Sequence, residues 1–270
     1  MFNFLDQVRR RGGAAINVTI GGPAVVPRLD NPRLTAEART DTGKVRRINE
    51  DSILSRLDLS LWAVADGVGG YHAGDVASAT LVEKLQELDP ALDIEDRTAV
   101  LRRLIEHHHE YLCDLATERG GQTIASTIVA LTIKNWRYSL LWAGDSRAYL
   151  WRAGRLIRLS RDHSVVQELI DRGSLRQEQA EGHPRANVIT SAVGSGEQLR
   201  LDESEGDVQP GDIFLLCSDG LTRMVPEDAI RGVLLEKYPS LIADELIENA
   251  LSAGGRDNVS VITVCCSDTP

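Results

Sequence analysis

Four aspartates stand where apolar runs end or begin. LSLWAVA runs into Asp66-Gly67, YSLLWAG into Asp145-Ser146 and DIFLLCS into Asp219-Gly220, while Asp257-Asn258 immediately precedes VSVITVCC. Runs of this length and composition read as strands. In an antiparallel sheet the start of one strand lies beside the ends of its neighbours. The four carboxylates therefore converge on one edge, provided that the last strand runs opposite to the other three. A single Asp-Gly after a strand is ordinarily a hairpin turn. Here, however, Asp66-Gly67 is followed by VGGYHAGD and Asp219-Gly220 by LTRMVPED, each leading into a helical pattern rather than a partner strand. A glycine at such a point also leaves its carbonyl open as a further oxygen ligand and gives a cation room to approach. An all-oxygen cluster without His or Cys selects Mg²⁺ or Mn²⁺ over zinc or copper. One shared aspartate bridges a cation pair about 4 Å apart, and such a pair brings a bridging water to hydroxide near neutral pH. The matching electrophile is a phosphoryl group.

A phosphoryl group also needs a cation that does not titrate. The segment TDTGKVRRINED supplies Arg46 and Arg47 just ahead of Glu50 and Asp51. Arg46 can grip two phosphate oxygens at once, which a lysine cannot do equivalently. Glu50 and Asp51 would accept from metal-bound waters and orient them. By itself such a run more often forms surface ion pairs.

The elements that must position these residues are legible. Apolar residues recur at helical spacing over Ala77–Leu88 and Arg97–Thr117. Further helices are expected over Ser164–Asp171, from Pro226 through VPEDAIRGVLLEKY, and over Ser240–Ser252. Strands are expected at Leu59–Ala65, Ser126–Ile133, Tyr138–Ala143, Ala148–Trp151, Ile213–Cys217 and Val259–Cys265, with another after Asp51. Strands come in runs with long helices between, which favours α+β layers over a doubly wound sheet. Residues 1 to about 33, with three prolines and two Gly-Gly pairs, read as a flexible N-terminal extension. No repeat or low-complexity tract is evident.

The chain has 270 residues, 42% hydrophobic and 26% charged, enough for a sizeable core and far from disordered or fibrous compositions. Its net charge of −10 disfavours nucleic acid and anionic membranes as partners. No run is long enough to span a bilayer, and the start MFNFLDQVRRRGG has the wrong charge order for a secretory signal, so a cytoplasmic protein is expected. Cys113, Cys217, Cys265 and Cys266 lack metal-ligand spacing and read as buried free thiols. His107–His109 sit on consecutive helical positions that point in different directions, so no metal is assigned to them. His163 and His183 read as braces for the segment between them.

Seven segments in order carry a resemblance: GKVRRINED (43–51), VADGVGG with AGDVAS (64–70, 73–78), AGDSRAYL (143–150), RDHSVVQEL (161–169), HPRANVIT (183–190), PGDIFLLCSDGLT (210–222) and GGRDNVSVI (254–262). The chain resembles the bacterial metal-dependent serine/threonine protein phosphatases of the protein phosphatase 2C type, from about Ala36 to Cys266. The resemblance implies two antiparallel sheets packed as a sandwich with helices on both outer faces, forming one phosphatase domain over 34–267. It implies that Asp66 bridges two cations, Mn²⁺ or Mg²⁺, with the Gly67 carbonyl on the second and Asp219 and Asp257 on the first. Asp145, together with Asp219, would hold a third. Arg46 would bind substrate phosphate, and Glu50 and Asp51 the metal-bound waters. A mobile flap would span about 163–190.

One departure concerns the proton for the leaving group. Many bacterial members have a histidine directly after VGG; here Tyr71 holds that place and His72 follows. The general acid is then His72 or a water. The expected function is hydrolysis of phosphoserine and phosphothreonine by a metal-bridging hydroxide, opposing a cytosolic kinase, by a chain expected to be a monomer. A catalytically silent binding module would have lost a ligand carboxylate, and none is missing. A small-molecule phosphatase would share the same metals. The phrase LWAVADGVGGYHAGDVAS is also similar to stand-alone members encoded with type VI secretion systems.

Overall fold

A computed structural model describes residues 30–69, 73–180 and 182–268. Most of the N-terminal extension, together with Tyr71 and His72, lies outside the described residues. Strand β1 (Arg33–Asp41) pairs antiparallel along its whole length with β11 (Val259–Ser267). Beyond β11 come β10 (Ile213–Cys217), β7 (Arg147–Arg152) and β8 (Arg155–Arg158), completing a five-stranded sheet. The second sheet runs β2 (Asp51–Arg56), β3 (Leu61–Gly69), β5 (Ile128–Lys134), β6 (Arg137–Ala143), β9 (Asp202–Asp207), with the short β4 (Ile124–Ser126) paired to β3. Every strand pair is antiparallel.

Side chains alternate along each strand, and here both faces are covered, so the strands read as continuous apolar runs. In β3, Trp62 and Val64 face the opposite sheet, whereas Leu61, Ala63 and Ala65 face helices. In β10, Phe214 and Leu216 face the opposite sheet, and Ile213, Leu215 and Cys217 face outward. Helices α1 (Ala73–Leu85) and α2 (Ile94–Glu118) cover the six-stranded sheet through Ala77, Leu81, Leu101 and Ile105. The one-turn α4 (Asp219–Thr222), α5 (Glu227–Glu236) and α6 (Ile242–Ser252) cover the five-stranded sheet through Leu221, Ile230 and Leu246. The layers are therefore α, β, β, α, the sandwich expected from the sequence. α5 begins after Pro226 with Glu227 and Asp228 in its first turn, which suits the positive end of the helix dipole.

The remaining helix, α3 (Val165–Asp171), is capped by the Ser164 hydroxyl, which accepts from the Gln167 amide. It belongs to an excursion that leaves and returns at one point. There the Thr190 amide donates to the His163 carbonyl (2.7 Å) and the Val165 amide to that of Val188 (2.9 Å).

The single strand expected over Ser126–Ile133 is instead broken at Thr127. β3 also continues through Asp66 to Gly69 instead of stopping before it. The break lies where Thr127 leaves the regular ladder to clamp Asp66, and β3 continues because β4 pairs with residues 67–69. The Thr127 amide donates to the Asp66 carbonyl (2.8 Å), and its hydroxyl accepts from the Asp66 amide (3.0 Å).

Candidate active site

The alternation that builds the core also aims the acids. Asp66 lies two residues beyond Val64, on the face directed at the opposite sheet. Its register partner on β2 is Asp51. β6 ends at Ala143, and Gly144 turns the chain at φ +107° to deliver Asp145. Asp219 follows β10 as the first residue of α4, and Asp257 precedes β11, which runs opposite to β10. All four aspartates, with Gly67, Arg46 and Glu50, line one cleft of about 330 Å³. Arg47, the neighbour of Arg46, is not among its walls.

Asp51 sits behind this wall. It is buried, and its Oδ2 accepts from the hydroxyls of Ser218 (2.8 Å) and Ser260 (2.7 Å), both from the five-stranded sheet. Burial pushes its carboxyl up to about 6, against the pull of the two hydroxyls. Burial also raises Asp66 and Asp219 well above the usual carboxylate range. The nearby Asp51 adds to this for Asp66, and Asp145 for Asp219. Asp145 is raised as well, by burial and then by Asp162. Such mutual repulsion is the signature of a cluster short of positive charge.

Two guanidinium groups supply part of that charge. Arg46 Nη2 donates to Asp257 Oδ2 at 2.9 Å. Arg223 Nη2 contacts Asp145 Oδ2 at 3.4 Å and forms an ion pair with Asp219. Among the described residues no three His, Cys, Asp or Glu side chains stand ready as a metal cage. The carboxylates are drawn instead toward these arginines. The donor set nonetheless fits Mg²⁺ or Mn²⁺: hard anionic oxygens, crowded enough to resist full ionisation without added cations.

The glycines at the cleft also have a packing role. A Cβ on Gly67 would lie 2.1 Å from the Gly74 carbonyl oxygen and 2.7 Å from that of Glu50. A Cβ on Gly220 would lie 1.9 Å from the Asn258 carbonyl oxygen. Neighbouring backbone takes up the space at both positions, so these glycines allow segments of chain to meet at the cleft.

Three contributors went unread in the sequence. Asn258 holds the loop that carries Arg46: its Oδ1 accepts from the Glu50 amide, and its Nδ2 donates to the carbonyls of Thr42 and Ile48, each at 2.9 Å. Its position directly after Asp257 was the available signal. Arg223 lies one helical turn after Asp219, a spacing that places two side chains together. Thr127 had no local signal. The excursion brings Asn187 and Ile189 to the cleft. His163 is buried at its base, with Nδ1 accepting from the Gly144 amide (3.3 Å) and Nε2 against Asp202 (3.1 Å), so it braces the Asp145 turn. His108 and His109 are buried in side-chain contacts with Thr80 and with the Gly194 amide, at 3.1 and 2.9 Å. All four cysteines are free, but only Cys217 and Cys266 are buried; Cys113 and Cys265 are partly exposed.

The family model of Protein phosphatase 2C matches residues 38–169. The serine/threonine phosphatase stp of Listeria monocytogenes is 37% identical over 238 residues, covering 85% of this chain and 94% of that protein. Among solved structures, PppA, described as a key regulatory component of T6SS in Pseudomonas aeruginosa, superposes with a TM-score of 0.81 at 38% identity, over 87% of this chain and 99% of its own. The catalytic domain of the serine/threonine protein phosphatase PstP, in complex with two manganese ions, gives 0.76 at 32% identity, over 87% and 99%. An identity of this size across nearly the whole of a relative, on a shared fold and with the matching family model, leaves one assignment: the chain belongs to the protein phosphatase 2C family.

Proposed function

We propose that this chain is a Mn²⁺- or Mg²⁺-dependent phosphatase that hydrolyses phosphoserine and phosphothreonine in proteins. The observation that carries this reading is the gathering of Asp66, Asp145, Asp219 and Asp257, from both sheets, around a cleft whose wall also holds Arg46. Asp66, Asp219, Asp257 and the Gly67 carbonyl would hold two cations, with Asp66 between them, and Asp145 with Asp219 a third. When bound, such cations lower the pKa of a coordinated water and offset charge on phosphoryl oxygens.

The protein's own residues do the rest. Arg46 is half-exposed, with its guanidinium at the cleft, and can turn a charge-assisted fork onto two phosphoryl oxygens, orienting the group and stabilising charge in the transition state. Asn258 fixes the loop that aims it. Glu50 lines the cleft and would orient cation-bound waters there, whereas Asp51, expected from the sequence to share that role, is buried behind the wall with its carboxylate held by Ser218 and Ser260.

The names of relatives such as stp support a phosphoprotein substrate, and hence a cytoplasmic role opposing a Ser/Thr kinase. Similarity to PppA supports a phosphoprotein linked to a type VI secretion system as the substrate. Among the described residues no helix is long and apolar enough to cross a membrane. A monomer suffices, since one chain supplies every residue named. The deciding experiment is hydrolysis of a phosphothreonine peptide and of a small phosphomonoester by the full chain, with Mn²⁺ and after chelation. Mn²⁺-dependent turnover of the peptide is expected. Full turnover after chelation would overturn the metal reading, turnover of the small ester alone would overturn the protein substrate, and no turnover at all would favour a binding module.

A further inference from the structure

The Arg223 guanidinium has an unusual address. One nitrogen, Nη2, contacts Asp145 and also pairs with Asp219, so it occupies the position between the two carboxylates. The base of the side chain is fixed. Arg223 ends the one-turn helix α4, its amide donates to the Asp219 carbonyl (2.9 Å), and the neighbouring Leu221 and Val225 are buried in the core under α5 and α6. Its end is not enclosed, because the side chain is one-third exposed and borders two spaces at once. One is the 330 Å³ cleft. The other is a groove of about 720 Å³ between the 163–190 excursion and the start of α5, with Glu178 and Glu227 on its walls.

We propose that Arg223 is a built-in counter-cation for Asp145 and Asp219, and that a metal ion is held at Asp145 only when this guanidinium withdraws into the adjoining groove. The proposal rests on the reading of Asp145 and Asp219 as cation ligands. Two positive groups cannot share one pair of carboxylates without strong repulsion, so metal and guanidinium compete. The contacts of Arg223 do not include Asp66 or Asp257. Asp257 is met by Arg46 instead, so competition from Arg223 falls on cations that use Asp145 or Asp219. The same competition has a second face. Without metal, Arg223 offsets repulsion among these acids, since one of its nitrogens meets both carboxylates. The groove gives the displaced group somewhere to go: Glu178 lies on its wall, and Glu227 keeps one carboxylate oxygen beyond the one that accepts from the Tyr149 hydroxyl, whereas Asp162 is paired with both Arg147 and Arg158.

The test is a calorimetric Mn²⁺ titration of the chelator-stripped full chain, run beside thermal unfolding in chelator, for wild type, R223A, R223Q, R223K, D145N and D219N. In R223A and R223Q the weakest Mn²⁺ step is expected to tighten about tenfold, the scale of one displaced partly buried ion pair. Their melting temperature in chelator should fall by about 2–4 °C. R223K, which keeps the charge, should stay close to wild type, and the effect of R223Q on the Mn²⁺ titration should vanish when combined with D145N. If R223A does not fold without metal, R223Q, which keeps the stem and its hydrogen-bonding capacity, gives the reading. Titrations of R223A and R223Q that superimpose on wild type, while D219N loses Mn²⁺, would overturn the role of Arg223 alone. A D219N titration that also matched wild type would overturn the metal-ligand assignment beneath it.

Discussion

Asp51 and Asp66 face each other as register partners on neighbouring antiparallel strands, with their carboxylates on the side of the sheet that meets the other sheet. Two acids so placed, one buried and one at the cleft wall, disfavour each other's ionisation. The chain meets this with two serines: Ser218 and Ser260 each donate a hydroxyl to Asp51 from across the sandwich. The pair sits at the centre of the candidate site, and its electrostatics set the first expectation.

The Asp51 carboxyl is pushed up to about 6 by burial, from an ordinary value of 3.8. A carboxyl that holds its proton more tightly in the fold favours the fold at low pH, and that contribution is lost as pH rises from about 4 through about 6. Asp51→Asn removes the titration and retains an oxygen to accept from the serines. In chelator, the variant should therefore gain on wild type by about 1–3 kcal/mol between pH 4 and pH 7. Denaturant unfolding of both proteins at several pH values checks this, and a pH-independent difference would contradict it.

Asp219→Asn should abolish phosphatase activity and leave the fold intact. Asp219 is raised well above the usual range by burial and by Asp145, so removing its charge relieves repulsion in the metal-free protein. Its melting temperature in chelator should hold or rise. Near-normal turnover would make Asp219 a turn residue and nothing more.

Arg46 and Arg47 carry the same charge but not the same view of the cleft. Arg46 contacts Asp257 and lines the cleft, and Arg47 is exposed outside it. Arg46→Ala should lower kcat/KM on a phosphopeptide about 30- to 150-fold, the loss of a bidentate charge-assisted contact of about 2–3 kcal/mol. Arg47→Ala should cost about threefold or less. Kinetics of both variants at fixed Mn²⁺ decide it, and the reverse ranking would remove Arg46 from the phosphate.

Asn258→Ala should act on stability and activity together. It deletes one acceptor and two donor contacts that tie residues 42–50 to β11. Groups buried without partners cost about 1–3 kcal/mol each, less where water can reach them. A loss of about 2–4 kcal/mol in total is expected, with faster hydrogen exchange at the Glu50 amide. Unchanged exchange at that amide would show that the loop is held by other means.

What could be read in advance follows from how each residue is held. Strands buried on both faces, such as β3, β6, β10 and β11, show as unbroken apolar runs, and the aspartates at their ends are visible for the same reason. β9 is different. Its sequence DESEGD has no strand propensity, yet it pairs along β6, with Glu203 and Glu205 meeting Arg102 (2.8 Å) and Arg137 (3.1 Å). Tertiary pairing overrides propensity at such an edge. β1 offered a subtler signal, since Leu34, Ala36 and Ala38 alternate inward among polar residues. Thr127 was unreadable because it acts through Asp66, which only the folded chain brings beside it, whereas Arg223 showed only as an i,i+4 spacing from Asp219.

The place of β11 has a consequence for how the protein is made. It is the last of the described strands, yet it lies between β10 and β1, and among the described residues β1 pairs with no other strand. Among the described strands, the first must therefore wait for the last before it can pair. Asp257, Asn258 and Ser260 arrive in that same final segment. A chain without this segment lacks both the partner of β1 and one wall of the cleft.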